Sequence, residues 1–295
     1  MIVLKISLDR WFEIVAKSSP PSFLSEILDN YYGDYGELWA ITAGPSAPYD
    51  YSKPRRRGIG KSVLAVKLLI HTYYNVYKKI PSWDDIRPFI FFKPLEFVRL
   101  LMYLRDRKMR IPMAVWDDAG EWLFRSRARE RFAVRVAEAL EVIRTVIANL
   151  FFTTTSIGKL TRGVRESIGY VVTVSVISQT KHADGTIVKK SKARVFFAAE
   201  DFEWLFHRKT MPKPAYEWIF TVWLPDEIYK PYFEYRSTYV DAAVEKIWKE
   251  LEKLSEKAEE EEEKDREAEI EDAERELIEL SSSLDMKDAE RILTE

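Results

Sequence analysis

A Gly-Lys-Ser triplet set between an apolar strand and an amphipathic helix constrains this chain more than any other feature. Leu38-Trp-Ala-Ile-Thr42 is a short apolar run ending at Ala43-Gly44-Pro45, and it reads as a buried strand. A long loop rich in Pro, Tyr and Arg then leads to Gly58-Ile59-Gly60-Lys61-Ser62. From Ser62 to Tyr77 the pattern is helical, with Val63, Val66, Leu69 and Ile70 on one face. Glycines in such a loop let backbone N–H groups turn inward on an anion. The helix that follows points its positive end at the same place. The expected phosphate-binding set is therefore Gly58, Ile59, Gly60, Lys61, Ser62 and Val63, with Lys61 on the β- and γ-phosphates of ATP and Ser62 on Mg²⁺.

The match to the Walker A pattern, Gly-x-x-x-x-Gly-Lys-Ser/Thr, is incomplete. Its first glycine falls on Arg55, and the glycine after the strand, Gly44, is separated from Gly60 by 15 residues. Arg55, Arg56 and Arg57 form a basic triplet that could touch phosphates, a neighbouring subunit or DNA, or simply face solvent.

A second constraint comes from Met113-Ala-Val-Trp116, an apolar strand that ends in Asp117-Asp118. A carboxylate at the end of a buried strand is poorly solvated unless it meets a cation. Beside a phosphate loop, Asp117 is expected to bind Mg²⁺. Asp118 is the candidate base that polarises the attacking water, with Glu121 as fallback. Asp118 could equally cap the helix that starts near Gly120. Leu150-Phe-Phe-Thr153 is a further strand, and its polar end makes Thr154 or Thr155 a candidate for the water or the γ-phosphate, though Thr is also common at strand ends. Arg162 and Arg165 follow as candidate γ-phosphate sensors or arginine fingers.

Strands at 89–92, 113–116 and 150–153 alternate with helices at 95–107 and 120–148. That alternation predicts an α/β domain with a mainly parallel sheet and right-handed crossovers. The first ten residues alternate like a strand. After Gly169 the chain turns β-rich: Tyr170–Ile177 and Ala193–Phe197 flank Asp184-Gly185, a hairpin signal. Lys181, His182, Lys189, Lys190, Lys192 and Arg194 lie on or around it, either as a DNA-facing ribbon or as edge-protecting charges. Another strand is expected at 218–222. Residues 1–36 read as an N-terminal extension, 37–240 as the nucleotide-binding domain, and 241–295 as an acidic helical tail, coiled coil or disordered. In that tail Ile270, Ala273, Leu277 and Leu280 recur at 3-4-3 spacing.

Charge divides the chain. Residues 246–295 carry 9 Lys+Arg against 20 Asp+Glu, a balance of −11, and residues 1–245 carry 37 against 28, a balance of +9. A basic body suits a polyanion such as DNA. The chain has no cysteine, which removes disulfides and thiolate metal sites and fits a cytoplasmic protein. No apolar run is long enough to predict a membrane span.

Taken together, Gly60-Lys-Ser, Val115-Trp-Asp-Asp-Ala-Gly120 and Phe152-Thr-Thr-Thr-Ser156, with Leu160 and Arg165, resemble the P-loop ATPases of archaeal plasmids and viruses, within the AAA+ and RecA-like (ASCE) class. The stretch from Pro225 through Tyr229 to Tyr239, with Arg236, is similar to the end of those domains. The resemblance spans about residues 37–240. It implies a three-layer P-loop NTPase with a β-hairpin extension and a charged C-terminal helix. It also implies Mg²⁺ and ATP as cofactors, an ATPase activity, a homo-oligomer, and a role in replication, partition or transfer of a mobile element. Two alternatives stand beside it: a nucleotide-dependent switch with little turnover, and a small-molecule kinase on the same scaffold.

Overall fold

The computed structural model describes residues 7–13, 20–44, 60–123, 143–181, 187–198, 213–242 and scattered helical positions from 244 to 278. Residues 1–236 form one compact unit and residues 237–295 a second.

The first unit is a mixed α/β fold on a seven-stranded, mainly parallel sheet. Its strands are β1 (Glu37–Ala43), β2 (Ile90–Phe91), β3 (Ala114–Trp116), β4 (Asn149–Thr153), β5 (Tyr170–Lys181), β6 (Ile187–Phe197) and β7 (Tyr216–Thr221), in the order β2-β3-β4-β1-β5-β6-β7. The run β2-β3-β4-β1-β5 is parallel, and β6 and β7 add antiparallel to β5. β1 is buried along its middle, as expected for a strand covered on both faces. β4 sits between β1 and β3, and this insertion decides which side chains meet at the strand ends.

The helices that precede β4 are, among the described residues, α1 (Leu8–Trp11), α2 (Leu24–Tyr32), α3 (Lys61–Tyr77), α4 (Trp83–Ile86), α5 (Pro94–Asp106) and α6 (Gly120–Leu123). On one face of the sheet, Phe97, Leu100 and Leu104 of α5 join Leu38, Ala40, Trp116, Leu150 and Phe152 in a single core. On the other face Trp39 stacks on its register neighbours Phe151 and Tyr170, with centroids 4.9 and 3.9 Å apart. Phe23, just before α2, covers the same tryptophan. Asn149 ties this face together from a fully buried position. Its amide donates to the carbonyls of Ile27 and Pro112 and accepts from Asn30 Nδ2 and Trp39 Nε1, at 2.8 to 3.0 Å. A buried amide so satisfied stabilises a unique packing.

The expected strands and helices at 38–42, 62–77, 89–92, 95–107, 113–116, 150–153 and 218–222 are present, with ends shifted by a residue or two. The N-terminus differs from its strand-like pattern. Leu8–Trp11 is a helical turn, because the Ser7 side chain accepts from Arg10 N and caps it. The expected helix 120–148 is an α-helix at Gly120–Leu123, but its far end is not: Ile143–Thr145 is a 3₁₀ turn and Ile147 bridges Ile111 in an extended pairing that leads into β4. Residues 124–142, the Asp184-Gly185 turn and the Ile270–Leu280 seam lie outside the described residues. In the second unit the described positions are helical and, from Val240 on, exposed, with an i,i+4 pair between Glu245 and Lys249.

One buried charge departs from ordinary core composition. Lys67 of α3 is 1% exposed, donates to Thr221 Oγ1 at 3.2 Å, and lies 5.3 Å from the Trp11 ring centroid. Burial pulls its pKa down to about 7. In the unfolded chain the group returns to the ordinary lysine value. Between the two values the unfolded chain binds more protons, so raising the pH from about 7 toward 10 favours the folded state. Denaturant unfolding across that range should show wild-type stability climbing, at most about 1.4 kcal/mol per pH unit. Lys67→Met should lose that climb and be the more stable protein at neutral pH; parallel curves for the two proteins would contradict it.

Candidate functional site

The site forms where β1, β3 and β4 end. Gly60 caps α3 with φ 97°, in the left-handed region, and has no side chain with which to close the helix. A Cβ there would lie 2.8 Å from Val222 Cγ2, so both the conformation and the space demand glycine. Lys61 and Ser62 begin the helix and are half-buried. Ser62 Oγ donates to Asp117 Oδ1 at 2.9 Å, closing the 55 residues between the loop and the strand end.

Asp117 is 1% exposed and fully engaged. Oδ1 also accepts from Thr153 Oγ1 at 2.6 Å, and Oδ2 accepts from the Tyr232 hydroxyl at 2.5 Å. Thr153 can do this because β4 lies between β1 and β3. The same hydroxyl accepts from the backbone N–H of Asp118 at 2.8 Å. That bond holds Asp118 at φ 53°, a left-handed conformation that aspartate tolerates better than most residues. The Asp118 side chain is 47% exposed and pairs with Arg236 at 2.5 Å.

The electrostatics are mixed. Burial lowers the Lys61 pKa, while Asp118 and Asp117 act in the opposite direction. Partial desolvation, and then the neighbouring Asp117, raise the Asp118 pKa against the pull of Arg236 and Lys61. Tyr232 is driven well above the ordinary phenol value by burial and then by Asp117, so its hydroxyl keeps its proton and serves as a donor.

Tyr232 and Arg236 lie one turn apart on a helix that starts at residue 226 and runs unbroken to 242, and its residues 226–236 belong to the first unit. Ile228 and Tyr232 bury against the body. Trp83 of α4 meets Tyr232 and Tyr235 edge-on, each at 6.2 Å, and Phe92 meets Tyr235 at 5.5 Å. Arg87 lies over the Tyr235 ring at 4.9 Å. This aromatic seat fixes where the helix presents its two polar side chains.

Of the residues singled out in the sequence, Gly60, Lys61, Ser62, Asp117 and Asp118 come together, and Val63 follows in the first turn of α3. Thr155 is exposed, and Thr153 is the β4 threonine at the aspartates. Arg162 is exposed and held by Glu166 at 2.6 Å, and Arg165 is half-buried. Glu121 falls within α6. Gly58 and Ile59, the arginines 55–57, and Arg125 through Arg135 lie outside the described residues. Tyr232 was not singled out, and Arg236 only as part of a resemblance. The available signal was their i,i+4 spacing on an amphipathic segment after Pro225.

Comparison with known proteins adds distant likenesses. No known family profile matches the chain. It is 25% identical over 195 residues to an uncharacterized protein, B-251, of Sulfolobus spindle-shape virus 1, covering 65% of this chain and 75% of the viral one. Among solved structures it aligns with a KaiC-like protein of the hyperthermophilic archaeon Pyrococcus horikoshii OT3, at 12% identity and a TM-score of 0.34, over 63% of this chain and 90% of that one. Among the described residues no helix is long and apolar enough to cross a membrane.

Gly60→Ala should place a methyl group against Val222 in a conformation that costs an L-residue about 1 kcal/mol or more. Thermal unfolding should register that loss. A variant as stable as wild type would show that Gly60 does not hold this backbone.

Proposed function

We propose that the chain binds Mg²⁺-ATP at the head of α3 and hydrolyses it in a DNA-handling process. The observation that carries this reading is the 2.9 Å contact between Ser62 and the buried Asp117, beside Lys61 and directly after Gly60. A serine hydroxyl and a carboxylate are a hard-oxygen donor set, which fits Mg²⁺ and disfavours soft-ligand metals. Bound there by Ser62 and Asp117, the ion would neutralise phosphate charge. Lys61 supplies a second positive charge, and the N–H groups of the first turn of α3 face the same anion.

Asp118, next to Asp117 and nearly half exposed, is the candidate to orient the attacking water, with Glu121 as fallback. Thr155 and Arg165 are secondary candidates from the β4 side. Arg162, exposed at the surface, suits an arginine finger that reaches a neighbouring copy in a homo-oligomer. Arg236 is added to this set, since its guanidinium is already at Asp118 and its Nε is buried without a hydrogen-bond partner. DNA is the proposed polyanion for the basic body. On the β5–β6 ribbon, Lys181 and Lys190 are the exposed candidates for phosphate contact. Lys192 and Arg194 are less available, because both pair with Glu217 across to β7.

A second reading is a nucleotide-dependent switch with little turnover. The Arg236–Asp118 pair favours it, because a base held by a guanidinium is a poor proton acceptor.

ATP hydrolysis with Mg²⁺, with and without DNA, tests the proposal beside Lys61→Ala. Turnover that DNA raises and that Lys61→Ala lowers by about 10²-fold or more is expected. ATP binding without turnover selects the switch. No ATP binding by the wild-type chain at millimolar nucleotide overturns both readings.

A further inference from the structure

The two carboxylates proposed to serve Mg²⁺-ATP are both held by the same helix. Tyr232 bonds Asp117 and Arg236 bonds Asp118, from side chains one helical turn apart. The Tyr232 phenol is 3% exposed and donates to Asp117 Oδ2. We propose that the 226–236 helix is a bolt across the metal–nucleotide site, and that Mg²⁺-ATP binds only as Tyr232 leaves Asp117. The proposal rests on the nucleotide-binding reading above and adds to it how that site is regulated.

The chemistry supports exclusion. A carboxylate oxygen that accepts a hydrogen bond from a buried phenol cannot offer the same lone pair to a cation or to a water held by one. Oδ1 already accepts from Ser62 and Thr153, so the phenol sits on the oxygen that remains for a cation. Loss of the phenol's bond is local, since the carboxylate keeps its bonds from Ser62 and Thr153 on the other oxygen.

Packing explains why the two events are coupled. The ring of Tyr232 is set among Trp83 and Phe92, with little room to swing aside while its helix stays seated. Withdrawal of the phenol is therefore expected to loosen the turn that also carries Arg236, freeing Asp118 for water. Occupancy of the nucleotide site becomes a displacement of this helix, and the ligand shifts it by its differential affinity for the two states. The chain runs directly from Arg236 into the acidic second unit. The bolt is thus the segment through which nucleotide state would first be felt there.

The test compares the wild-type chain with Tyr232→Phe, which keeps the ring and its aromatic contacts and removes only the hydroxyl. ATP affinity is measured with Mg²⁺ and with EDTA. Tyr232→Phe should tighten Mg²⁺-ATP binding about tenfold, the equivalent of one lost hydrogen bond of about 1.4 kcal/mol, and leave metal-free ATP unchanged. Hydrogen exchange on the unaltered protein gives an independent readout. Amides of 226–236 should exchange faster with Mg²⁺-ATP than with ATP and EDTA. Equal or weaker Mg²⁺-ATP binding by Tyr232→Phe, or a helix equally or better protected in the Mg²⁺-ATP state, overturns the bolt while leaving nucleotide binding intact. Failure of both proteins to bind Mg²⁺-ATP overturns the bolt and the proposed function together.

Discussion

The buried carboxylate of Asp117 is the interaction on which the arrangement of this molecule depends. It sits at the end of β3 with about 1% exposure, where an ionised group without partners would cost several kcal/mol. Three hydroxyls meet it: Ser62 from the head of α3, Thr153 from the end of β4, and Tyr232 from the helix at 226–236. Each comes from a different part of the chain, so satisfying one charge fixes the mutual position of two helices and two strands. Placing β4 between β1 and β3 is what makes this possible. Were β1 and β3 adjacent, Thr153 would not lie at the aspartates.

The rest of the sheet supports that position. The Asn149 amide locks β4 to β1, to α2 and to the segment before β3, while Trp39 stacks on both neighbouring strands in register. The core beneath α5 backs the other face. Gly60 lets the chain turn into α3 against Val222, which follows β7. The end of β7 thereby abuts the residue that opens α3.

Much of this was legible in the sequence because it is local. Strand ends with polar residues, helical periodicity from Ser62, and the Ser62–Asp117 spacing all follow from short-range pattern, and Ser62 does meet Asp117. Strand order is not local, and that is why attention fell on Thr154 and Thr155 when Thr153 is the residue at the carboxylates. Thr153 is the last residue of β4 and Thr155 lies beyond it, so which one meets Asp117 is decided by where the strand ends and which strands flank it. Tyr232 and Arg236 were hidden for a related reason. Their partners are 115 and 118 residues away, and only the folded seat made by Trp83, Phe92 and Arg87 brings them back. Arginines 162 and 165 looked as suitable, because charge alone does not distinguish an exposed guanidinium such as Arg162, paired with Glu166, from one facing the Asp118 carboxylate.

The central claim is that Ser62 and Asp117 form a metal site completed by a nucleotide. Electron paramagnetic resonance with Mn²⁺ in place of Mg²⁺ addresses it directly. The account predicts that Mn²⁺ binds the protein tightly only when ATP is present, with ³¹P coupling from the phosphates, and that Asp117→Asn abolishes this bound signal. Mn²⁺ that binds without nucleotide, or that binds Asp117→Asn as well as wild type, would contradict the account.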